Sequence, residues 1–199
     1  MKRLPSPSCR TAPRPTGTAR GFSLIELLVT IAVAAILAGV AAPQMTTMMN
    51  ANRVQSAASA LQSDMMFART EAIKRGSWVS LCPSSDGATC LTANTWNSGW
   101  IVFADAAGNG VFNTGADTIL KVRAATSGGN TIAASPAPTI NAVIFNREGF
   151  TSNLGSAAVS FAVHTANNYA NSTRCVMVTF GGSLSTVSKG TAVMGVTCS

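Results

Sequence analysis

The residues with the clearest chemical opportunity in this 199-residue chain stand in one short run, Arg20-Gly21-Phe22-Ser23-Leu24-Ile25-Glu26. It sets a glycine just ahead of an apolar stretch and a carboxylate five residues beyond that glycine. A lone carboxylate inside a membrane-length apolar helix costs roughly 2.5–3.5 kcal/mol on insertion scales and persists only with a partner. Glu26 is therefore expected either to pair with a positive group or to snorkel toward its own N-terminus one turn away. Other groupings offer weaker chemistry. Met45, Met48 and Met49 stand at helical spacing, which suits flexible packing better than a metal site. Trp96 and Trp100 could form a platform for a sugar or base, but beside a Gly-Trp-Ile-Val-Phe strand they read as core or interface anchors. Asp105, Asn109, Asn113 and Asp117 offer oxygens to calcium without EF-hand spacing or a terminal bidentate Glu, and two hairpin turns account for them equally well. His164 has no evident triad or ligand partner. With one His, one Tyr and seven acids, the chain is not expected to be an enzyme, nor to hold a metal or cofactor.

The element that must position Glu26 is the apolar run Phe22 to Ala42, 21 residues long, about the thickness of a bilayer core. Charged residues make up only 11% of the chain, and the apolar excess is concentrated here. The net charge of +7 is also local: Lys2, Arg3, Arg10, Arg14 and Arg20 precede the run, and the remaining nine cations face seven acids. This bias places the N-terminus in the cytoplasm and the rest across the membrane. Ala38, Ala41 and Ala42 could mimic a secretory cleavage site after the apolar run, but the Gly21–Glu26 pattern upstream argues for another reading.

On that pattern the chain resembles type IV pilins and pseudopilins. The resemblance implies that prepilin peptidase cuts after Gly21, that Phe22 becomes a methylated N-terminus, and that Glu26 is the membrane-embedded acid read by neighbouring subunits. Cleavage would supply an amine at Phe22 able to satisfy the Glu26 of an adjacent helix, so that the charge acts as a register pin. Residues 1–21 are then a leader and 22–43 a transmembrane or filament-core segment.

Pro43 removes the hydrogen bond to the carbonyl of Gly39, and a kink is expected between them. The helix should resume over 44–76. Val54, Ala58, Leu61, Met65, Ala68 and Ala72 form a 3.6-period stripe needing a surface to cover it, with Gln55, Ser59, Gln62, Arg69 and Thr70 opposite. Glu71 and Arg75 form a favourable pair, and Lys74, Arg75 and Gly76 make a stop signal. One helix over about 23–75 is expected. Residues 77–199 change to β-rich runs at Trp78–Leu81, Trp100–Ala104, Ile119–Arg123, Ala142–Phe145, Val159–Val163, Cys175–Phe180 and Ala192–Thr197, with turns at Gly108-Asn109-Gly110, Ser127-Gly128-Gly129 and Gly181-Gly182. The expected fold is α+β, a long N-terminal helix packed on a two-sheet β domain. Cys9 would leave with the leader, and on the periplasmic side Cys82, Cys90, Cys175 and Cys198 favour disulfides. Three pairings are possible; Cys82 with Cys90, closing a short loop, and Cys175 with Cys198, stapling the last two strands, are preferred.

Residues 68–76, Leu81-Cys82-Pro83-Ser84-Ser85-Asp86-Gly87 with Cys90, residues 96–105 and Ile119-Leu120-Lys121-Val122 narrow the resemblance to the GspH/FimT/FimU group of minor pilins and pseudopilins. It implies a low-abundance subunit entering a pilus tip or initiation complex, with other minor pilins, the major pilin, prepilin peptidase and an inner-membrane assembly platform as partners. The cysteine loop favours a pilus over type II secretion. Some FimT proteins resemble DNA-uptake receptors with a Gly-Arg-x-Arg motif, but this chain reads Gly182-Ser183-Leu184-Ser185 there. DNA contact would then rest on Lys121, Arg123, Arg174 and Lys189, which read equally as solubilising and edge-protecting charges.

Overall fold

The structure is a computed structural model that describes residues 21–135, 140–155, 158–166 and 172–199, with the side chains of 40–43 outside the description. The leader cations Lys2, Arg3, Arg10, Arg14 and Arg20, and Cys9, lie outside the described residues. The chain divides into two units, 1–43 and 44–199.

Helix α1 is assigned from Leu24 to Arg75, through Gly39 and Pro43 without interruption. In the first unit every described side chain of 21–39 is exposed, as the absence of any polar face requires. In the second unit the helix is amphipathic: Val54, Ala58, Leu61, Met65, Ala68 and Ala72 are all fully buried. The helix stops by a Schellman motif. Gly76 adopts φ +60°, its N–H reaches the carbonyl of Ile73, and the N–H of Ser77 reaches Ala72, satisfying two carbonyls that the helix leaves open.

Among the described residues ten strands follow: β1 Val79–Pro83, β2 Gly99–Ala104, β3 Thr118–Ala124, β4 Thr131–Ser135, β5 Val143–Phe145, β6 Val159–His164, β7 Arg174–Val178, β8 Leu184–Ser188, β9 Ala192–Val193 and β10 Val196–Thr197. They make one sheet in the order β3-β2-β1-β5, a second in the order β4-β6-β7-β8, and the small hairpin β9-β10. All the strand pairs are antiparallel.

The alternation of strand side chains gives each main sheet two buried faces. Val79, Leu81, Trp100 and Val102 of the first sheet and Phe161, Val163, Val176 and Val178 of the second join the helix stripe in one core. On the reverse of the first sheet Cys82, Ile101 and Phe103 form a smaller core with Ala142, Cys90 and Phe112. On the reverse of the second, Ala162, Cys175 and Met177 are covered by Cys198, Val193 and Val196.

Three strand expectations need correction. β4 and β8, absent from the runs read from the sequence, are the two edges of the second sheet; Thr-Ile-Ala-Ala-Ser and Leu-Ser-Thr-Val-Ser lack a strong apolar alternation because an edge strand is only partly covered. Cys175–Phe180 ends at Val178, where Thr179 to Ser183 turns back. Ala192–Thr197 is a hairpin, with Met194 and Gly195 at φ 48° and 82° reversing the chain.

Candidate assembly interface

Ser23 precedes α1 and its carbonyl accepts the N–H groups of Glu26 and Leu27. Glu26 thus lies in the first turn, where a negative charge complements the helix dipole. Its carboxylate makes no hydrogen bond or ion pair among the described residues, and Phe22, Leu24 and Ile36 are 70–80% exposed around it and beyond. A continuous apolar surface of this size is an interaction surface, in lipid or against other helices. No single helix among the described residues is long and apolar enough to cross a membrane, whereas Leu24–Gly39 and Gln44–Arg75 taken together pass on length and composition.

The second unit contains a charged cluster that the sequence reading did not anticipate. Asp64 is completely buried on the helix. One carboxylate oxygen accepts Trp100 Nε1–H and Arg123 Nε–H, each at 3.0 Å; the other accepts Arg123 Nη2–H at 3.1 Å and pairs with Lys121 Nζ at 2.6 Å. Burial pushes the Asp64 carboxyl up, but the donors of Arg123, Lys121 and Trp100 outweigh it and hold it below the ordinary value. The cluster ties the helix to β2 and β3. A signal was present: Asp64 falls three residues after Leu61 and four before Ala68, inside the apolar stripe, where an acid requires a partner.

The helix is also tied to the second sheet, by residues expected on its open face. Arg69 donates from Nη1 to the Gly182 carbonyl at 2.8 Å and from Nη2 to Gly181 at 3.3 Å, while Gln62 Oε1 accepts Thr186 Oγ1–H at 2.6 Å. Those contacts exist because Gly181-Gly182 and β8 fold over that flank. Gly182 has φ +69°, and a Cβ there would lie 2.1 Å from the Gly149 carbonyl oxygen, so only glycine fits.

The cysteines pair as Cys82–Cys90 and Cys175–Cys198. Each bond fastens a cover over the reverse face of a sheet, a loop in the first case and the β9-β10 hairpin in the second. The second bond therefore joins β7 to the chain beyond β10. The four cations raised for DNA contact fall on different sheets. Lys121 and Arg123 belong to β3 and bind Asp64 of α1, whereas Arg174 belongs to β7 and Lys189 follows β8.

Trp96 and Trp100 are both buried. Trp96 packs edge-on to Phe161 at 5.1 Å and donates to the Ile140 carbonyl. In the 105–117 loop, Asp105 accepts Ser80 Oγ–H and the N–H groups of Gly108, Asn109 and Gly110, and Asp117 accepts those of Ala106 and Asn113. Those carboxylate oxygens are thus taken up by N–H and O–H donors of the loop and of β1. His164 contacts Thr173 Oγ1 at 3.2 Å, and burial, with Lys189 adding to it, holds its imidazole below the ordinary value. Met45, Met48 and Met49 are exposed.

Residues 57–182 match the family model described as type II transport protein GspH, and residues 17–42 match the prokaryotic N-terminal methylation motif. No curated protein sequence matches significantly. Among solved structures, the type IV minor pilin FimU of Pseudomonas aeruginosa strain PAO1 aligns at 19% identity over 67% of this chain and 87% of that one, with a TM-score of 0.52, a likeness of fold. The minor pseudopilin EpsH of the Vibrio cholerae type 2 secretion system aligns at 10% identity over 68% of this chain and 97% of that one, with a TM-score of 0.47, too low to add to that likeness. A methylation motif ahead of an uncovered apolar helix, followed by a matching domain over more than half the chain, identifies the family: this chain belongs to the GspH family of pilin-like minor pilins and pseudopilins.

Proposed function

We propose that this chain is a minor pilin of a type IV pilus, inserted in the bacterial inner membrane with its N-terminus cytoplasmic and residues 77–199 periplasmic, and built into a pilus tip or initiation complex through α1. Prepilin peptidase cuts after Gly21 and methylates Phe22. The new amine neutralises Glu26 of an adjoining subunit, and a kink between Gly39 and Pro43 adjusts the helix to the filament. The other minor pilins, the major pilin and the assembly platform are its partners.

The observation that carries this reading is the wholly exposed apolar surface of 21–39, whose one carboxylate has no partner among the described residues. An uncompensated acid at membrane depth needs an external positive group, and a cut at Gly21 creates one. Intact-mass and N-terminal analysis of the membrane-derived protein is expected to find methylated phenylalanine at position 22. Glu26→Ala is expected to be processed but absent from sheared filaments; incorporation at the wild-type level refutes the pairing. Because the matched family model takes its description from type II transport, a secretion pseudopilus is the second reading. Deletion is expected to reduce piliation and leave secretion intact.

A further inference from the structure

Between the second half of α1 and the β3–β4 connection lies an open cleft of about 280 Å³, with Arg53, Ser56, Arg123 and Asn130 at its polar wall and Ala57, Ala60 and Trp100 along its apolar side. Four features give it the character of a built site. Arg53 makes no hydrogen bond or ion pair with any described residue. Gly128 leaves room for it: φ is +81°, and a Cβ would stand 2.9 Å from Arg53 Nη1. Arg123 spends Nε and Nη2 on Asp64, leaving Nη1 without a partner among the described residues. Asn130 is only 4% exposed, yet its side-chain amide makes no hydrogen bond to a described residue. Lys121 and Arg123 share the one buried carboxylate of Asp64 while Arg53 has no acid of its own, so the excess charge of the described cleft wall is positive.

We propose that this cleft receives the carboxylate of an aspartate or glutamate side chain from an adjoining filament subunit. Planar guanidinium groups and an amide suit a carboxylate, and the alanine and tryptophan surface suits the methylene groups that carry it. The occupant follows from the helix face: Met45, Met49, Arg53 and Ala57 recur every four residues, so exposed methionines lead along one face into the cleft. A partner lying along that face would set apolar groups on the methionines and an acid on Arg53. Nucleic acid fits less well, since a duplex presents phosphates in series and each asks for its own cation. Here Lys74 and Arg75 are held by Glu71, and Arg174 and Lys189 belong to the second sheet region. The occupant rests on the filament-subunit reading; the cleft itself does not.

The full chain in detergent micelles, titrated with N-acetylglutamate N-methylamide and followed by NMR at the arginine Nε–H and Trp100 indole signals, tests the site. Saturable shifts in roughly the millimolar range are expected. Arg53→Gln should weaken them by about fivefold or more, with an unchanged melting temperature because Arg53 is exposed and unpaired, and Lys189→Gln should leave them as they are. Absent shifts, or equal shifts in Arg53→Gln, overturn the proposal. So does binding of inorganic phosphate or a short DNA duplex about tenfold tighter than the carboxylate probe. In filaments, a photo-crosslinking residue at Ser127 is expected to capture an Asp- or Glu-containing peptide of a neighbouring subunit, and Arg53→Glu to abolish the capture. Titration without such capture rejects the occupant. Titration that survives alongside normal incorporation of Glu26→Ala rejects the assembly reading and keeps the cleft.

Discussion

Replacing Asp64 with asparagine removes one negative charge from a position with no solvent exposure, while Lys121 and Arg123, its cationic partners, remain 36% and 39% exposed. Deleting one member of a fully buried pair typically costs about 3–5 kcal/mol, because the other charge is stranded. Here both stranded cations keep more than a third of their surface in water, which screens the penalty, and asparagine still offers Trp100 Nε1–H an acceptor. The expected loss is about 2 kcal/mol, a fall in melting temperature of roughly 4–8 °C for a unit of this size. The pH dependence gives a second reading. The folded carboxyl lies below its ordinary value of 3.8, so the unfolded chain binds the proton more readily, and stability contributed by Asp64 is complete above 3.8 and lost as pH falls beneath it. Thermal unfolding of the full chain in detergent, followed by near-ultraviolet circular dichroism, should show wild type above Asp64→Asn at neutral pH and the two converging in acid. A variant within about 0.5 kcal/mol of wild type at pH 7, or a gap that persists unchanged well below the folded carboxyl's titration, refutes the assignment of Asp64 as the charge that pins the helix.

Two further perturbations separate the contributions of the covers and turns. Cys175→Ser with Cys198→Ser opens a 23-residue separation and is expected to cost about 3.4 kcal/mol on the chain-entropy relation, against about 2.5 for Cys82→Ser with Cys90→Ser at a separation of 8; denaturant unfolding in which the short loop costs more contradicts this ordering. Gly182→Ala combines positive φ with a clash against the Gly149 carbonyl and should lose more than about 3 kcal/mol, whereas Gly190→Ala, with φ +83° and open space, should lose about 1. Equal losses in a melting series would mean that the turn shifts without cost.

The sequence by itself determined what is local along the chain. The apolar run with its glycine and glutamate, the stripe from Val54 to Ala72 and the stop at Gly76 follow from spacing, since 3.6-residue periodicity and capping act within a few residues of one another. Seven β-rich runs marked most of the sheet interior for the same reason. What the tertiary structure decided is where distant groups meet. Asp64 finds Trp100 36 residues away and Arg123 59 away, and that contact changes Arg123 from a free surface cation into one fixed by hydrogen bonds to the helix. Edge strands β4 and β8 owe their conformation to one neighbouring strand rather than to their own pattern, and β8 in turn brings Thr186 to Gln62, moving a residue of the supposed open face into an interface. Which face of a sheet holds a cysteine, and therefore what its bond fastens down, depends on how both sheets close around one helix. Local spacing carries no record of that closure, because burial and charge pairing are properties of surfaces brought together.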